Sequence, residues 1–155
     1  MPTEELRETI QLYLAEHHAM TLATSSDNVP WATSVFYAHA GFILYFVSSS
    51  TSRHAQNIAK NPLVAAAINQ DYSNWQVIRG VQLQGSAERV GPGEFPGVFA
   101  LYCQKFPSVK GMLTKGGMFR IAGKLVSAHF YQVTPTRIHY LDNSVAFGRR
   151  RELIL

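Results

Sequence analysis

Hydrophobic and polar positions alternate along the chain in a pattern that predicts one N-terminal helix followed by many short strands. Apolar residues recur at helical spacing near the N-terminus, which predicts an amphipathic helix over residues 4–17. Apolar and branched runs bounded by turn residues predict strands over residues 20–24, 31–39, 42–47, 63–69, 77–90, 124–133 and 136–141. Residues 95–105 and 107–113 also carry helical patterns. Seven short strands with few helices indicate an α+β, mostly β protein built on a small antiparallel barrel.

An unbroken run of hydroxyl residues, 48–52, separates the predicted strand 42–47 from a short helical pattern. This helix is predicted to end before Pro62, because the residue preceding a proline is disfavoured in the helical conformation. Thr51 or Ser52 suits the N-cap position of the helix, where a side-chain oxygen accepts a hydrogen bond from a free backbone N–H group.

With either cap, two basic residues, Arg53 and His54, fall in the first turn of this helix. A cation there is disfavoured by roughly 0.3–1 kcal/mol, because the N-terminus is the positive end of the helix dipole. An anion in front of the helix reverses this penalty, since free N–H groups, hydroxyls and a guanidinium then converge on it. Two interpretations stay open here: a phosphate-binding site, or a serine-rich turn with a capped helix and a solvated arginine.

Composition and charge narrow the class of protein. A length of 155 residues suits one domain, and 46% hydrophobic with 15% charged residues suits a compact fold. No apolar run is long enough for a membrane span, and the acidic N-terminus lacks signal-peptide features. Cys103 is the only cysteine, which excludes an intrachain disulfide and favours a cytoplasmic location. The net charge of +4 suits an anionic ligand but is too scattered to predict nucleic-acid binding.

Other candidate sites are weaker. Six histidines occur without His-x-x-x-His or His-Glu-x-x-His spacing, so no metal site is predicted. The basic segment 149–151 could contact a phosphate or nucleic acid, although a solvated tail is the commoner arrangement. The spacing of residues indicates neither a Ser-His-Asp triad nor a pair of catalytic carboxylates, so the sequence predicts no catalytic residues.

The order of these elements resembles the pyridoxamine-5′-phosphate-oxidase-like family of FMN-binding split barrels, and especially its small uncharacterised bacterial members. The segments that carry the resemblance are Ser48-Ser49, Ser52-Arg53-His54-Ala55-Gln56, Asn61-Pro62-Leu63-Val64-Ala65, 79–88, Lys105-Phe106-Pro107 and 142–148. The likeness covers roughly residues 5–150. It implies a small antiparallel split β-barrel with peripheral helices, forming a single FMN-binding domain over residues 1–155.

In that family FMN lies at the dimer interface, so the resemblance implies a homodimer and a set of cofactor-binding residues. Ser48, Ser49, Ser52, Arg53 and His54 would hold the phosphate; Thr33, Ser34 and Val35 would face the isoalloxazine ring; and Gln82 or Gln84 would reach its polar edge. The sequence departs from the oxidase in two places. The oxidase typically has a lysine at the position of His54, and a basic residue near Thr33 and Ser34 is missing here.

Three classes of function remain. The resemblance implies a flavin-dependent oxidoreductase acting on an unidentified small molecule. The alternative is a flavin- or haem-binding module without turnover, with haem the less favoured cofactor. A nucleic-acid-binding barrel is the third class, and the absence of a basic stripe with interleaved aromatic residues counts against it.

Overall fold

The computed structural model describes residues 2–155, and this range contains three α-helices and ten β-strands. The helices are α1 (Thr3–Glu16), α2 (Arg53–Lys60) and α3 (Phe95–Lys105). The strands are β1 (Ala19–Ser26), β2 (Val29–Phe36), β3 (Ala38–Ala40), β4 (Ile43–Ser49), β5 (Leu63–Asn69), β6 (Arg79–Arg89), β7 (Phe119–Ile121), β8 (Lys124–Val126), β9 (Ala128–Asp142) and β10 (Arg150–Ile154).

Eight of the strands form one curled antiparallel sheet in the order β2-β1-β5-β6-β9-β4-β3, with β10 also paired to β9. Strands β7 and β8 form a separate hairpin. The predicted α+β, mostly β split barrel with peripheral helices is therefore confirmed. Within the part of the chain that the structure describes, β2 pairs with β1 alone, so it is an edge strand of the sheet.

The inner face of the curled sheet packs around one hydrophobic core. Helix α1 contributes Ile10 and Leu14, both fully buried, and α2 contributes Ile58. A second, smaller core lies on the other side of the sheet, where α3 packs against Phe130 of β9. This arrangement follows from the strand pattern, since successive side chains of a strand point to opposite faces.

A β-bulge between β6 and β9 changes which residues of β9 face the core. Gln84 lies opposite Arg137 but Gly85 lies opposite Pro135, so one residue of β9 is left over. Even-numbered residues such as Ile138 are buried after the bulge, and odd-numbered residues such as Val133 are buried before it. The bulge also accommodates a proline inside a long strand, where it is otherwise unfavourable.

The structure corrects several predicted elements. Predicted strands 124–133 and 136–141 are instead the short β8 and the continuous β9, because the bulge shifts the alternation without ending the strand. The predicted strand 31–39 is interrupted at Tyr37, and the predicted helix 107–113 is a 3₁₀ helix over Pro107–Met112. Within the basic segment 149–151, Arg150 and Arg151 begin the paired strand β10 and do not form a free tail.

Lys105 fixes the end of α1 to α3. Its Nζ donates hydrogen bonds to the carbonyl oxygens of Leu14 and His17, at 3.3 and 2.5 Å, and lies 4.0 Å from the ring centroid of Tyr37. Burial lowers the pKa of Lys105 to about 8. This side chain therefore satisfies carbonyl groups that the helix end leaves without partners.

Candidate functional site

The hydroxyl run and the first turn of α2 form a compact polar site at one end of the barrel. We call Ser48, Ser49, Ser52, Arg53 and His54 the α2 N-terminal site. Ser52 is the N-cap, and its hydroxyl accepts a hydrogen bond from the Ala55 N–H at 3.2 Å. An uncapped N-cap position costs a helix about 1 kcal/mol, so this hydroxyl holds the site in place.

His54 points back into the hydroxyl cluster. Its Nε2 lies 2.7 Å from Ser48 Oγ and 3.3 Å from Ser52 Oγ, and these two hydroxyls are 3.0 Å apart. Burial lowers the pKa of His54, because the half-buried imidazolium would lose hydration. The imidazole is therefore neutral near pH 7 and orients the serine hydroxyls.

Arg53 is exposed and points towards the edge strand. Its guanidinium carbon lies 4.0 Å from the ring centroid of Trp31 on β2, a cation–π contact. Neither ion pair found in residues 2–155 includes Arg53. The contact with Trp31 thus restrains a cation whose charge is not neutralised by a carboxylate, next to the positive end of α2.

The three predicted ring-binding residues of β2 do not share one face of the sheet. Thr33 pairs with the buried Leu22, and Val35 packs against the core, so both belong to the inner face. Ser34 is exposed on the outer face, opposite Thr21. All three residues lie at the edge of the sheet, where no strand within the described range 2–155 pairs with the outer side of the β2 backbone.

Gln82 and Gln84 lie on the outer face of the sheet, away from the α2 N-terminal site. The register places Ser34, Thr21, Ala67 and Gln82 side by side on neighbouring strands. Ser34 and Gln82 are therefore about 14 Å apart, as three strand spacings require. Gln82 also accepts a hydrogen bond from Nε of Arg150, at 3.2 Å. One protomer does not bring the phosphate, ring and glutamine positions into a single pocket.

Three further residues near the site were not predicted. Trp31 carries the contact with Arg53, and His129 on β9 pairs in register with Ser48. Arg89, at the end of β6, contacts the imidazole of His129. These contacts depend on strand register across distant segments, and no local spacing in the sequence indicates them.

The fold and this site define a class of protein: a split β-barrel with a basic, hydroxyl-rich helix N-terminus beside an edge strand of its sheet. A comparison of the amino-acid sequence with models of known protein families supports this class. The chain belongs to the pyridoxamine 5′-phosphate oxidase family, whose sequence model matches residues 3–142.

Relatives with similar sequences are bacterial proteins named only by family. A UPF0306 protein of Klebsiella pneumoniae is 25% identical over 148 residues, which cover 94% of this chain and 91% of the relative. The UPF0306 protein YhbP of Escherichia coli O157:H7 is 24% identical over 148 residues, covering 94% of this chain and 91% of the relative. The predicted likeness to small uncharacterised bacterial members is confirmed.

Solved structures share the fold at lower identity. A haem-binding protein of Mycobacterium smegmatis matches with a TM-score of 0.75 and 21% identity, over 99% of this chain but only 58% of that longer chain. The haem storage protein HutZ of Vibrio cholerae matches with a TM-score of 0.68 and 16% identity, over 99% and 95% of the two chains. A pyridoxamine 5′-phosphate oxidase homologue of Listeria innocua matches with a TM-score of 0.66 and 17% identity, over 88% and 98%.

None of the helices within residues 2–155 combines the length and the apolar character needed to cross a membrane.

Proposed function

We propose that this protein binds FMN, with the phosphate at the α2 N-terminal site. The observation that carries the proposal is Arg53, an exposed cation held over Trp31 beside the positive end of a helix. The helix dipole disfavours a cation at this position. A bound phosphate turns the same arrangement into a favourable one.

The residues of the site fit a phosphate group. Helix geometry leaves the backbone N–H groups of Arg53 and His54 without acceptors in the helix, and Arg53 adds a planar two-point donor. The Ser49 hydroxyl lies at the same end of α2 and can donate to a phosphate oxygen, whereas the Ser52 hydroxyl already donates to the carbonyl oxygen of Ser49. His54 then acts through Ser48, as a neutral group that orients a hydroxyl.

The isoalloxazine ring is proposed to lie along the edge of β2, at Thr33, Ser34 and Val35. Trp31 links this strand to Arg53, so a ligand whose phosphate is bound at α2 is adjacent to β2. The free backbone N–H and C=O groups of an edge strand suit the polar edge of the ring. This arrangement uses the backbone of Thr33 and Val35, whose side chains belong to the inner face.

A homodimer would complete the site. The outer face of β2, β1, β5 and β6 is exposed and carries small residues, which allow another sheet to approach closely. They are Ala32, Ser34, Thr21, Ala23, Ala65 and Ala67. We call these six residues the outer sheet face. Two exposed large side chains, Phe36 at 62% and Leu63 at 67%, adjoin it. A two-fold partner covering this face would bring Gln82 of one protomer close to a ring bound at the other.

Bound FMN would supply one- or two-electron transfer, and the reaction proposed is the oxidation or reduction of a small molecule. The chain contributes binding and orientation: Arg53 holds the phosphate, the edge of β2 orients the ring, and the outer sheet face excludes water on dimerisation. The alternative is a haem-binding module, which the fold of the haem-binding neighbours supports. Arg53 would serve the anionic propionates of haem equally well.

The test is a pair of titrations on protein freed of cofactor. FMN fluorescence is measured as protein is added, and haemin absorption is measured in a parallel series. We expect saturable quenching at one FMN per chain. We also expect bleaching of the bound flavin absorption by a reduced nicotinamide, which a module without turnover would not show.

Absence of FMN binding, together with stoichiometric haemin binding, would contradict the flavin proposal and favour the haem module. FMN binding without reduction by the nicotinamide would keep the cofactor and reject a nicotinamide-dependent oxidoreductase.

A further inference from the structure

A cavity lies at the start of β9, beside the strand pair that joins His129 to Ser48 of the α2 N-terminal site. Its volume is about 650 Å³, within the range of small-molecule sites. Its walls are mostly apolar: Val90, Pro92, Phe95, Ala128 and Phe130 line it, together with Gly91 and Gly117. The rings of Phe95 and Phe130 meet edge to face with their centroids 5.7 Å apart, which gives the cavity a rigid aromatic corner.

Among residues 2–155, the ionisable side chains that line this cavity are two basic ones, Arg89 and His129. Nη2 of Arg89 lies against the imidazole of His129, 2.5 Å from Nδ1 and 2.9 Å from Nε2. Ser127 Oγ lies 3.5 Å from Nε2 of the same ring. These three polar groups stand together at the exposed side of an otherwise apolar cavity.

No carboxylate within residues 2–155 forms an ion pair with Arg89 or His129. The neighbouring Glu88 belongs to the opposite face of β6, where it accepts a hydrogen bond from Gln132. Burial and the guanidinium together lower the pKa of His129. An anion placed between the two bases would remove this unfavourable contact and gain a charge-assisted hydrogen bond from Arg89.

We propose that this cavity is a binding site for a small aromatic carboxylate. The carboxylate would be held by Arg89 and His129, and the flat apolar body would lie against Phe95 and Phe130. Since Ser48 and His129 are paired in register, this second site adjoins the α2 N-terminal site but uses none of its residues. The proposal therefore stands whether or not FMN binds.

The experiment measures binding of 2-naphthoate and of its neutral analogue 2-naphthamide by calorimetry, in wild-type protein without cofactor. We expect 2-naphthoate to bind at least tenfold more tightly than 2-naphthamide. Arg89→Gln should weaken 2-naphthoate binding about tenfold or more and leave 2-naphthamide binding unchanged. Phe95→Ala should weaken both, because it removes apolar contact from either ligand.

Two control variants test whether the loss of 2-naphthoate affinity is specific to Arg89. Arg137→Gln removes an exposed arginine that pairs with Glu152, and Arg53→Ala removes the cation of the α2 N-terminal site. Neither should change 2-naphthoate affinity. Equal affinities for the acid and the amide, unchanged 2-naphthoate binding in a folded Arg89→Gln variant, or no binding at millimolar ligand would overturn the proposal. Loss of binding in Arg53→Ala would place the acid at α2 instead.

Discussion

The hydroxyl of Ser48, the penultimate residue of β4, lies 2.7 Å from Nε2 of His54 in the first turn of α2. This hydrogen bond joins the strand to the helix on either side of the hydroxyl run. It also explains why His54 is not a simple replacement for a lysine at this position. The imidazole is turned into the cluster and is uncharged near pH 7, so Arg53 is the principal cation of the site.

The lowered pKa of His54 predicts a pH dependence of stability. In the unfolded chain the His54 imidazole is protonated as the pH falls through about 6.5, whereas in the folded chain it is protonated only at lower pH. The stability that His54 contributes is thus present above pH 6.5 and is lost as the pH falls through the lowered pKa. His54→Gln should reduce the difference between the free energies of unfolding at pH 7.5 and pH 5, measured by urea denaturation.

His129 also has a lowered pKa. Part of the pH dependence of the free energy of unfolding should therefore persist in His54→Gln, and it should be smaller still in a variant that carries both His54→Gln and His129→Gln. An unchanged pH dependence in His54→Gln would show that its imidazole is solvated.

Gly85 is required by the close approach of β9 at the bulge. A Cβ atom there would lie 2.1 Å from the carbonyl oxygen of Thr134 and 2.7 Å from Cα of Pro135, and both are backbone atoms that cannot rotate away. Gly85→Ala should lower the free energy of unfolding by about 1–3 kcal/mol or more, measured by urea denaturation.

Gly80 of the same strand is the matched control. Its added Cβ would meet the carbonyl oxygen of Ile68 at 3.5 Å, an ordinary contact. Gly80→Ala should therefore change stability by less than about 1 kcal/mol. Equal effects of the two substitutions would argue against the close approach at the bulge.

The proposed homodimer predicts that a bulky charge on the outer sheet face separates the protomers. Ala65 is exposed on this face, between Ala23 and Gln84 on the neighbouring strands. Ala65→Arg should convert a dimeric mass to a monomeric one in light scattering at micromolar concentration, because two sheets could no longer approach closely. Ala100→Arg, an equal change on the exposed side of α3, should leave the mass unchanged.

A monomeric mass for the wild-type protein would contradict the homodimer. A dimeric mass in folded Ala65→Arg would mean that another surface forms it.

Much of the fold could be predicted from the sequence, because hydrophobic periodicity is a local property. Helix α1 and strand β5 were predicted to within one residue at each end. Strand β9 was divided in two, since the bulge reverses the alternation and Pro135 is a typical turn residue. Strand β10 was missed because its charged residues resemble a tail, and only pairing with β9 makes it a strand.

The candidate site was predicted only where it is contiguous in the chain. Ser52, Arg53 and His54 follow from helix-capping rules, which act within a few residues. Trp31 and His129 meet the site through tertiary contacts and strand register, respectively, and these are not encoded in any short pattern. The ring-binding positions differ in this respect, because Thr33 and Ser34 are neighbours in one strand and the alternation of side chains alone places them on opposite faces of the sheet.

The proposed phosphate site depends most strongly on Arg53, which would bind the phosphate of FMN. Arg53→Ala would delete one or two charge-assisted hydrogen bonds, each worth roughly 1.5–3 kcal/mol. FMN should then bind about ten- to a thousandfold more weakly, while the fold is unchanged. Arg53→Lys should recover only part of the loss, because an ammonium group cannot make the planar two-point contact.

The most direct measurement compares FMN with riboflavin, which lacks the phosphate, in fluorescence titrations of wild type and Arg53→Ala. Arg137→Ala serves as the control for a general loss of positive charge. We expect Arg53→Ala to weaken FMN binding at least tenfold and to leave riboflavin binding almost unchanged. Unchanged FMN affinity in a folded Arg53→Ala protein would contradict this expectation and would leave the hydroxyl run as an ordinary helix-capping turn.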